Sequence, residues 1–376
     1  MPLFQTSQAS QLHLAVDMGT TLISGLVWRE SSLTRREPRL TRRENGREAK
    51  PDILEVIRMP LAGEGAHHHL VSALKIFLAR AETALGGRDP ASLTIGLAAP
   101  YYQGRTVWSH QRFERPTAVS TAVIDHVCTQ AEEEHAHLLS AEEELFGRDM
   151  LCVYANGYAI NALPQQALAH EVSVATRFSS LRSVLRTHIL GLFEERYPHA
   201  HFQITTFPAA FGRLLQHLPH GAGHAAVIDI GGTVSECSFF EEGTLTDVIT
   251  VPHGVATWIS SVAREKRIAP GELLHVLNHP RFKQDFQEHM GQWRRLMRPI
   301  IAARVLRQPD YHLFLVGGGA LLDQSRAALS SLLHTIPLGS RADIHTLSAD
   351  IFRDQFRTWP SSIISALDVG LLTLLF

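Results

Sequence analysis

The chain has 376 residues, 45% hydrophobic and 19% charged, with a net charge of -2. That length fits two or three domains with a sizeable buried core, and the composition excludes a disordered chain. Nothing in the nearly neutral charge balance argues for non-specific nucleic-acid binding, so no nucleic acid is expected as a partner.

Leu12 to Val16 is a short apolar run that stops at Asp17-Met18-Gly19-Thr20-Thr21, and Ile23 to Trp28 is a second run. Together they predict strand, tight polar turn, strand. Arg29 to Lys50 is rich in Arg and Glu; the interleaved glutamates favour a solvated loop over a basic contact patch. Ile53 to Met59 predicts a strand. Leu70, Leu74, Phe77, Leu78, Ala81 and Leu85 recur at helical spacing, and Gly86-Gly87 ends that helix. Leu93 to Ala98 predicts a buried strand closed by Pro100. A helix is expected over Ala118 to Ala136, a strand over Met150 to Tyr154, and a turn at Asn156-Gly157 before Tyr158 to Leu163. Val172 to Arg177 predicts a strand, Ser180 to Arg196 an amphipathic helix, and Phe202 to Thr206 a strand ended by Pro208.

The pattern then recurs. Ala225 to Ile230 is an apolar run ended by Gly231-Gly232-Thr233, with returning strands over Val234 to Phe240 and Thr244 to Val251. Helices are expected from Thr257 to Leu277, interrupted at Pro270-Gly271, and from Asp285 to Arg307. Tyr311 to Val316 is a buried strand ended by Gly317-Gly318-Gly319. A last helix and strand close the chain. No solenoid period is present, but the strand–Asp–Gly–Thr–strand unit at Asp17 returns at Asp229.

Cys128, Cys152 and Cys237 are far apart and form no CxxC pair, so neither a disulfide framework nor a cysteine zinc site is expected. Free thiols suit a reducing cytosol. The N-terminus lacks a basic region followed by an apolar core, and no stretch approaches the ~20 apolar residues of a membrane span. A cytoplasmic protein is therefore expected. His67, His68 and His69 form the only histidine run, without a cysteine or acidic partner at ligand spacing, and read as a polar loop or helix start.

Three glycine-bearing turns thus end three apolar strands: Asp17-Met18-Gly19-Thr20-Thr21, Asp229-Ile230-Gly231-Gly232-Thr233 and Val316-Gly317-Gly318-Gly319-Ala320. Glycine lets backbone N–H groups approach phosphate oxygens, and threonine hydroxyls add donors. A strand-end carboxylate suits Mg²⁺, usually through water, so Asp17 and Asp229 are the expected metal residues. Two such hairpins facing each other would clamp a polyphosphate, and the third turn, leading into a helix, suits the sugar and phosphate end of a nucleotide. Each turn alone is unspecific; the ordered set is not. No GxxxxGK[ST] is present, and no GxGxxG follows the first strand.

In these three motifs the sequence resembles the actin-like ATPase superfamily. The resemblance implies an α/β fold of two lobes, each a central mixed sheet with helices, plus a small inserted α+β subdomain, with ATP and Mg²⁺ between the lobes. Within the superfamily the segment from Leu93 resembles FtsA-type cell-division proteins, and next PilM-type pilus-assembly proteins. Leu93 to Tyr102 resembles the strand before the inserted subdomain, and Thr106 to Glu171 the insertion. His170 to Leu215 resembles the return into the second lobe, with Phe207-Pro208-Ala209-Ala210 at the connecting loop. Val251-Pro252-His253-Gly254 resembles the loop before a nucleotide-facing helix, and Asp368 to Leu372 the closing helix. The implied domains are 1–104, 105–171 and 172–376, the last helix returning towards the first lobe. Gly254 and Glu272 join the implied nucleotide contacts, Glu272 and His275 approximating the family's Glu-x-x-Lys pair.

The departures bear on function. The connecting loop, Thr206 to Phe211, carries no carboxylate or amide to orient a water; losing such a group costs ~10²–10⁴ in rate, so slow or absent hydrolysis is expected. With the chain ending at Phe376, no amphipathic anchor helix is expected. The leading expectation is an ATP-binding scaffold, assembling with itself into filaments or binding a division-ring or pilus partner that recruits it to the inner face of the membrane. A plasmid-segregation actin and a small-molecule kinase of the same superfamily remain open. A kinase needs a general-base aspartate, and Asp125, mid-way in the first half, lies on an expected helix without strand-end context.

Overall fold

The computed structural model describes residues 11–30, 43–44, 47–48, 50–61, 67–160, 167–215, 223–269, 280–305, 310–336, 341–363 and 368–375. Strand β1 (Leu12–Met18) folds back on β2 (Leu22–Arg29), with Leu12 opposite Arg29 and Met18 opposite Ile23. Two-residue strands β3 (Arg43–Glu44) and β4 (Arg47–Glu48) pair with each other inside the stretch expected as a charged loop. β5 (Asp52–Pro60) extends the hairpin beyond β2. Helix α1 (His67–Leu85) buries Leu70, Leu74, Phe77, Leu78, Ala81 and Leu85, the residues its spacing singles out. It stops where the Gly86 and Gly87 N–H groups donate back to Thr83 and Glu82 carbonyls, both glycines at positive φ, a geometry that a side chain disfavours. β6 (Ser92–Leu97) then lies parallel to β1.

An inserted unit follows. β7 (Gln103–Ala118), α2 (Thr121–Ala136), β8 (Glu143–Ala155), β9 (Tyr158–Ala159) and β10 (Leu168–Arg182) form a sheet in the order β7-β10-β8-β9. Ser120 caps α2 by accepting from the Val123 N–H. Ile124, Val127 and Cys128 of the helix pack on Val153, Val172 and Val174 of the sheet. The long strand β7 was not expected. It alternates half-buried and exposed residues with little apolar content, so periodicity does not flag it.

The boundary after the insertion needs correction. Residues 172–376 were expected as the second lobe, with His170 to Leu215 as the return into it. β10 instead runs on to Arg182, so helix α3 begins three residues later than expected, at Ser183 (Ser183–Arg196), and β11 (His201–Thr206) pairs parallel with β6. The cause is burial: Leu185, Ile189 and Phe193 of α3 complete the core over α1, and Ile204 lies beside Ile95. The first sheet is therefore β11-β6-β1-β2-β5. The expected connecting loop is likewise a helix, α4 (Phe207–Leu215), with Pro208 in its first turn, where a missing N–H costs nothing.

The second sheet repeats the first. β12 (His224–Ile230), β13 (Ser235–Glu241) and β14 (Thr244–Val251) are successive antiparallel neighbours; α5 (Val255–Lys266) and α6 (Pro280–Val305) lead to β15 (Asp310–Val316), parallel to β12. A 3-10 turn (Gly318–Leu321), α7 (Asp323–His334) and β16 (Arg341–Thr346) complete the order β14-β13-β12-β15-β16. Element for element this matches β5-β2-β1-β6-β11. A second 3-10 turn (Ala349–Gln355) and the short α8 (Val369–Thr373) end the chain's described structure.

The two lobes are joined by an apolar spine. Ala15 and Leu26 of the first sheet, Val227 and Phe314 of the second, Phe211 of α4 and Leu371 of α8 belong to one buried cluster. No described helix is long and apolar enough to cross a membrane.

Candidate nucleotide-binding cleft

The duplicated topology places the two Asp-Gly hairpins face to face. In each, a glycine N–H bonds a carbonyl three residues on: Gly19 to Leu22 at 3.0 Å and Gly231 to Val234 at 3.0 Å. The turns touch across the cleft floor, where the Thr233 N–H donates to the Thr20 hydroxyl at 3.1 Å. A Cβ on Gly232 would run into the Thr21 side chain and lie 2.8 Å from the Thr20 hydroxyl, so only glycine permits this approach.

A cavity of about 350 Å³ opens above the floor. Of the residues singled out in the sequence, Asp17, Gly19, Thr20, Thr21, Asp229, Gly231, Gly232, Gly317 and Gly318 line it. Gly317 has φ +80, and a side chain there would collide with the Asp229 carboxylate. The remaining four described residues lie just behind. Thr233 reaches Thr20 through its backbone. Gly254 presses on the backs of the Gly231 and Gly232 carbonyls, which accept from the Val255 and Ala256 N–H groups at 3.0 and 2.7 Å. The start of α5 is thus satisfied by the turn itself. Gly319 packs towards Ile230 and Val255, and Ala320 is buried. Glu272 and His275 lie outside the described residues.

Sequence reasoning missed Ser24 and Glu236, which also line the cavity. The signal was present. Ser24 is the register partner of Asp17 and Glu236 that of Asp229, so both must face the same way as the aspartates. Glu236 accepts a hydrogen bond from the Tyr102 hydroxyl at 2.6 Å, tying the root of the insertion to the second lobe. Tyr102→Phe removes this tie and should cost about 1–2 kcal/mol in urea unfolding; an unchanged midpoint would show that the bond contributes nothing.

The cleft's charge is negative and poorly solvated. Burial, reinforced by the Asp229 and Asp368 charges, pushes the Asp17 carboxyl up to about 7. Burial pushes Asp229 up to about 6 and Glu236 up to about 7, the Tyr102 hydrogen bond opposing the latter. Asp368 is fully buried just before α8 and ion-paired with Arg58 of β5. The Thr233 hydroxyl is buried without a hydrogen-bond partner among the described residues. Hard carboxylate and hydroxyl oxygens with uncompensated negative charge, beside glycine turns open to close approach, fit Mg²⁺ carrying a phosphate chain. Glu236 adds a carboxylate able to orient a water or take its proton near neutral pH. The expected connecting loop, Thr206 to Phe211, closes β11 and opens α4, while Glu236 of β13 lines the cavity.

Two sheets of like topology joined by a helical spine, with a strand–turn–strand hairpin from each meeting over one cavity, define the actin-like ATPase fold. The fold is shared with a solved structure. The chain is similar to PilM, in a structure described as a PilM–PilN type IV pilus biogenesis complex, at 14% identity and TM-score 0.61, covering 96% of this chain and 97% of that one. It is also similar to a Bacteroides thetaiotaomicron protein with an actin-like ATPase fold (12% identity, 100% and 98% covered, TM-score 0.45). A third is the ethanolamine utilization protein EutJ from Carboxydothermus hydrogenoformans (12% identity, 98% and 89% covered, TM-score 0.48). No protein-family model and no curated protein matches the sequence.

Proposed function

We propose that this chain binds Mg-ATP between its lobes and acts as a nucleotide-dependent scaffold in type IV pilus assembly. The observation that carries the nucleotide reading is the convergence of three glycine turns and two half-buried aspartates on one cavity. Asp17 and Asp229 would hold Mg²⁺, which supplies charge neutralisation for the phosphates; the backbones of Gly19, Gly231, Gly232 and Gly317 would cradle them. The choice of adenine rests on the family resemblance. The pilus role is supported by the likeness to PilM, which runs the length of both chains. That PilM is described in complex with PilN, which supports a partner protein for this chain as well.

The test titrates a fluorescent ATP analogue with Mg²⁺, then asks whether the nucleotide-bound chain captures a PilN-like protein. Saturable binding and capture are expected. Gly232→Ala should weaken binding about tenfold, since overpacking by one methyl costs about 1–2 kcal/mol. No saturable binding sinks the nucleotide reading. Sedimentable filaments without capture of the partner replace the pilus role with an FtsA-like one, and phosphate transfer to a small molecule replaces both with a kinase.

A further inference from the structure

We propose that the second lobe carries a transition-metal site of the zinc type at its sheet edge, formed by His312, Asp343 and His345. One ligand atom from each lies within 4.8 Å of the others. Strand pairing creates the cluster: β15 and β16 are parallel, with His312 beside Asp343 and Phe314 beside His345. The period of two puts all four side chains on one face.

Two observations support a metal here. Nδ1 of His312 and Nε2 of His345 are 3.2 Å apart, at hydrogen-bond distance, so a metal would take the place of the proton shared between them. Two imidazole nitrogens bound to one tetrahedral zinc, at ~2.0–2.1 Å each, stand about 3.3 Å apart. The rings are also held in place. Phe314, 4% exposed, stacks on His345 with centroids 5.3 Å apart and on His312 at 6.3 Å. Both histidines are half-buried while Asp343 is exposed, so a rotation of the aspartate closes the remaining gap. Two neutral imidazoles and a carboxylate make a borderline ligand set that favours zinc over magnesium, with water in the fourth position. His312 lies five residues before Gly317, about 16 Å along the strand, so this site is separate from the nucleotide cleft. Bridging β15 to β16 would pin the edge strand of the sheet.

The test uses the full chain, without a histidine tag and stripped by chelator, titrated with Zn²⁺ by calorimetry and with Co²⁺ by visible absorption. Expected are one equivalent bound, a tetrahedral Co²⁺ spectrum, and a Zn²⁺-dependent rise in Tm of about 2–5 °C. His312→Ala and His345→Ala should each weaken this binding at least tenfold, and Asp343→Asn less. Their Tm in chelator should match the wild type, which separates metal loss from misfolding. A triple substitution of His67, His68 and His69 to Ala should leave the site unchanged. Equal binding by the wild type and the His312 and His345 variants, loss of binding in the His67–His69 triple variant, or no saturable binding in the wild type, would overturn the proposal.

Discussion

Asp17→Asn should melt higher than the parent chain at pH 8 without nucleotide, yet bind Mg-ATP about 10–100-fold more weakly. The Asp17 carboxyl is held up at about 7, against an ordinary value of 3.8, because burial and the neighbouring Asp229 and Asp368 disfavour its charge. Between those two values the folded chain keeps a proton that the unfolded chain has released. Stability therefore falls as pH rises through that window and levels off above it. Asparagine has no charge to desolvate, so its advantage should be absent near pH 4, grow through pH 7 and then stay constant. About three pH units correspond to at most ~4 kcal/mol, and water in the half-open cavity reduces this to about 1–3 kcal/mol. The measurement is Tm against pH with and without Mg-ATP. A variant less stable than the parent at pH 8 would show that Asp17 is stabilised by partners within the chain, and the metal assignment would lose its basis.

Arg58→Met should destabilise the fold by about 3–5 kcal/mol. Arg58 pairs with Asp368, whose side chain is fully buried. Removing the guanidinium takes an ion-pair partner from a buried carboxylate, whose charge already disfavours ionisation of Asp17. The double variant Arg58→Met with Asp368→Asn should recover most of the loss, because both charges of the pair are then removed together. Urea unfolding of the three variants checks this. A single variant as stable as the parent would mean that α8 does not depend on the pair for its place.

The two hairpins, the third glycine turn and α1 were legible in the sequence because each is local. An apolar run meeting Asp-Gly-Thr needs no distant partner to be recognised, and Leu70 to Leu85 carries its own period. What was not legible depends on pairing between distant segments. β11 reads as a strand from Phe202 to Thr206, but only its contact with β6 shows which sheet it completes. β7 hides because its residues are largely exposed. Glu236 lay in plain view, seven residues after Asp229 as Ser24 is after Asp17. It becomes part of the cleft only when the hairpin register is applied to both copies.

The shared cluster between the sheets has a mechanical consequence. Phe211, Leu371 and their neighbours join the lobes through buried apolar surface, whereas at the cleft the lobes meet through the Thr20–Thr233 contact and the Tyr102–Glu236 hydrogen bond. Separating the lobes at the cleft would cost a few polar contacts that water can replace, while separating them at the cluster would wet apolar surface. A group bound between the hairpins would therefore act on the weaker of the two connections.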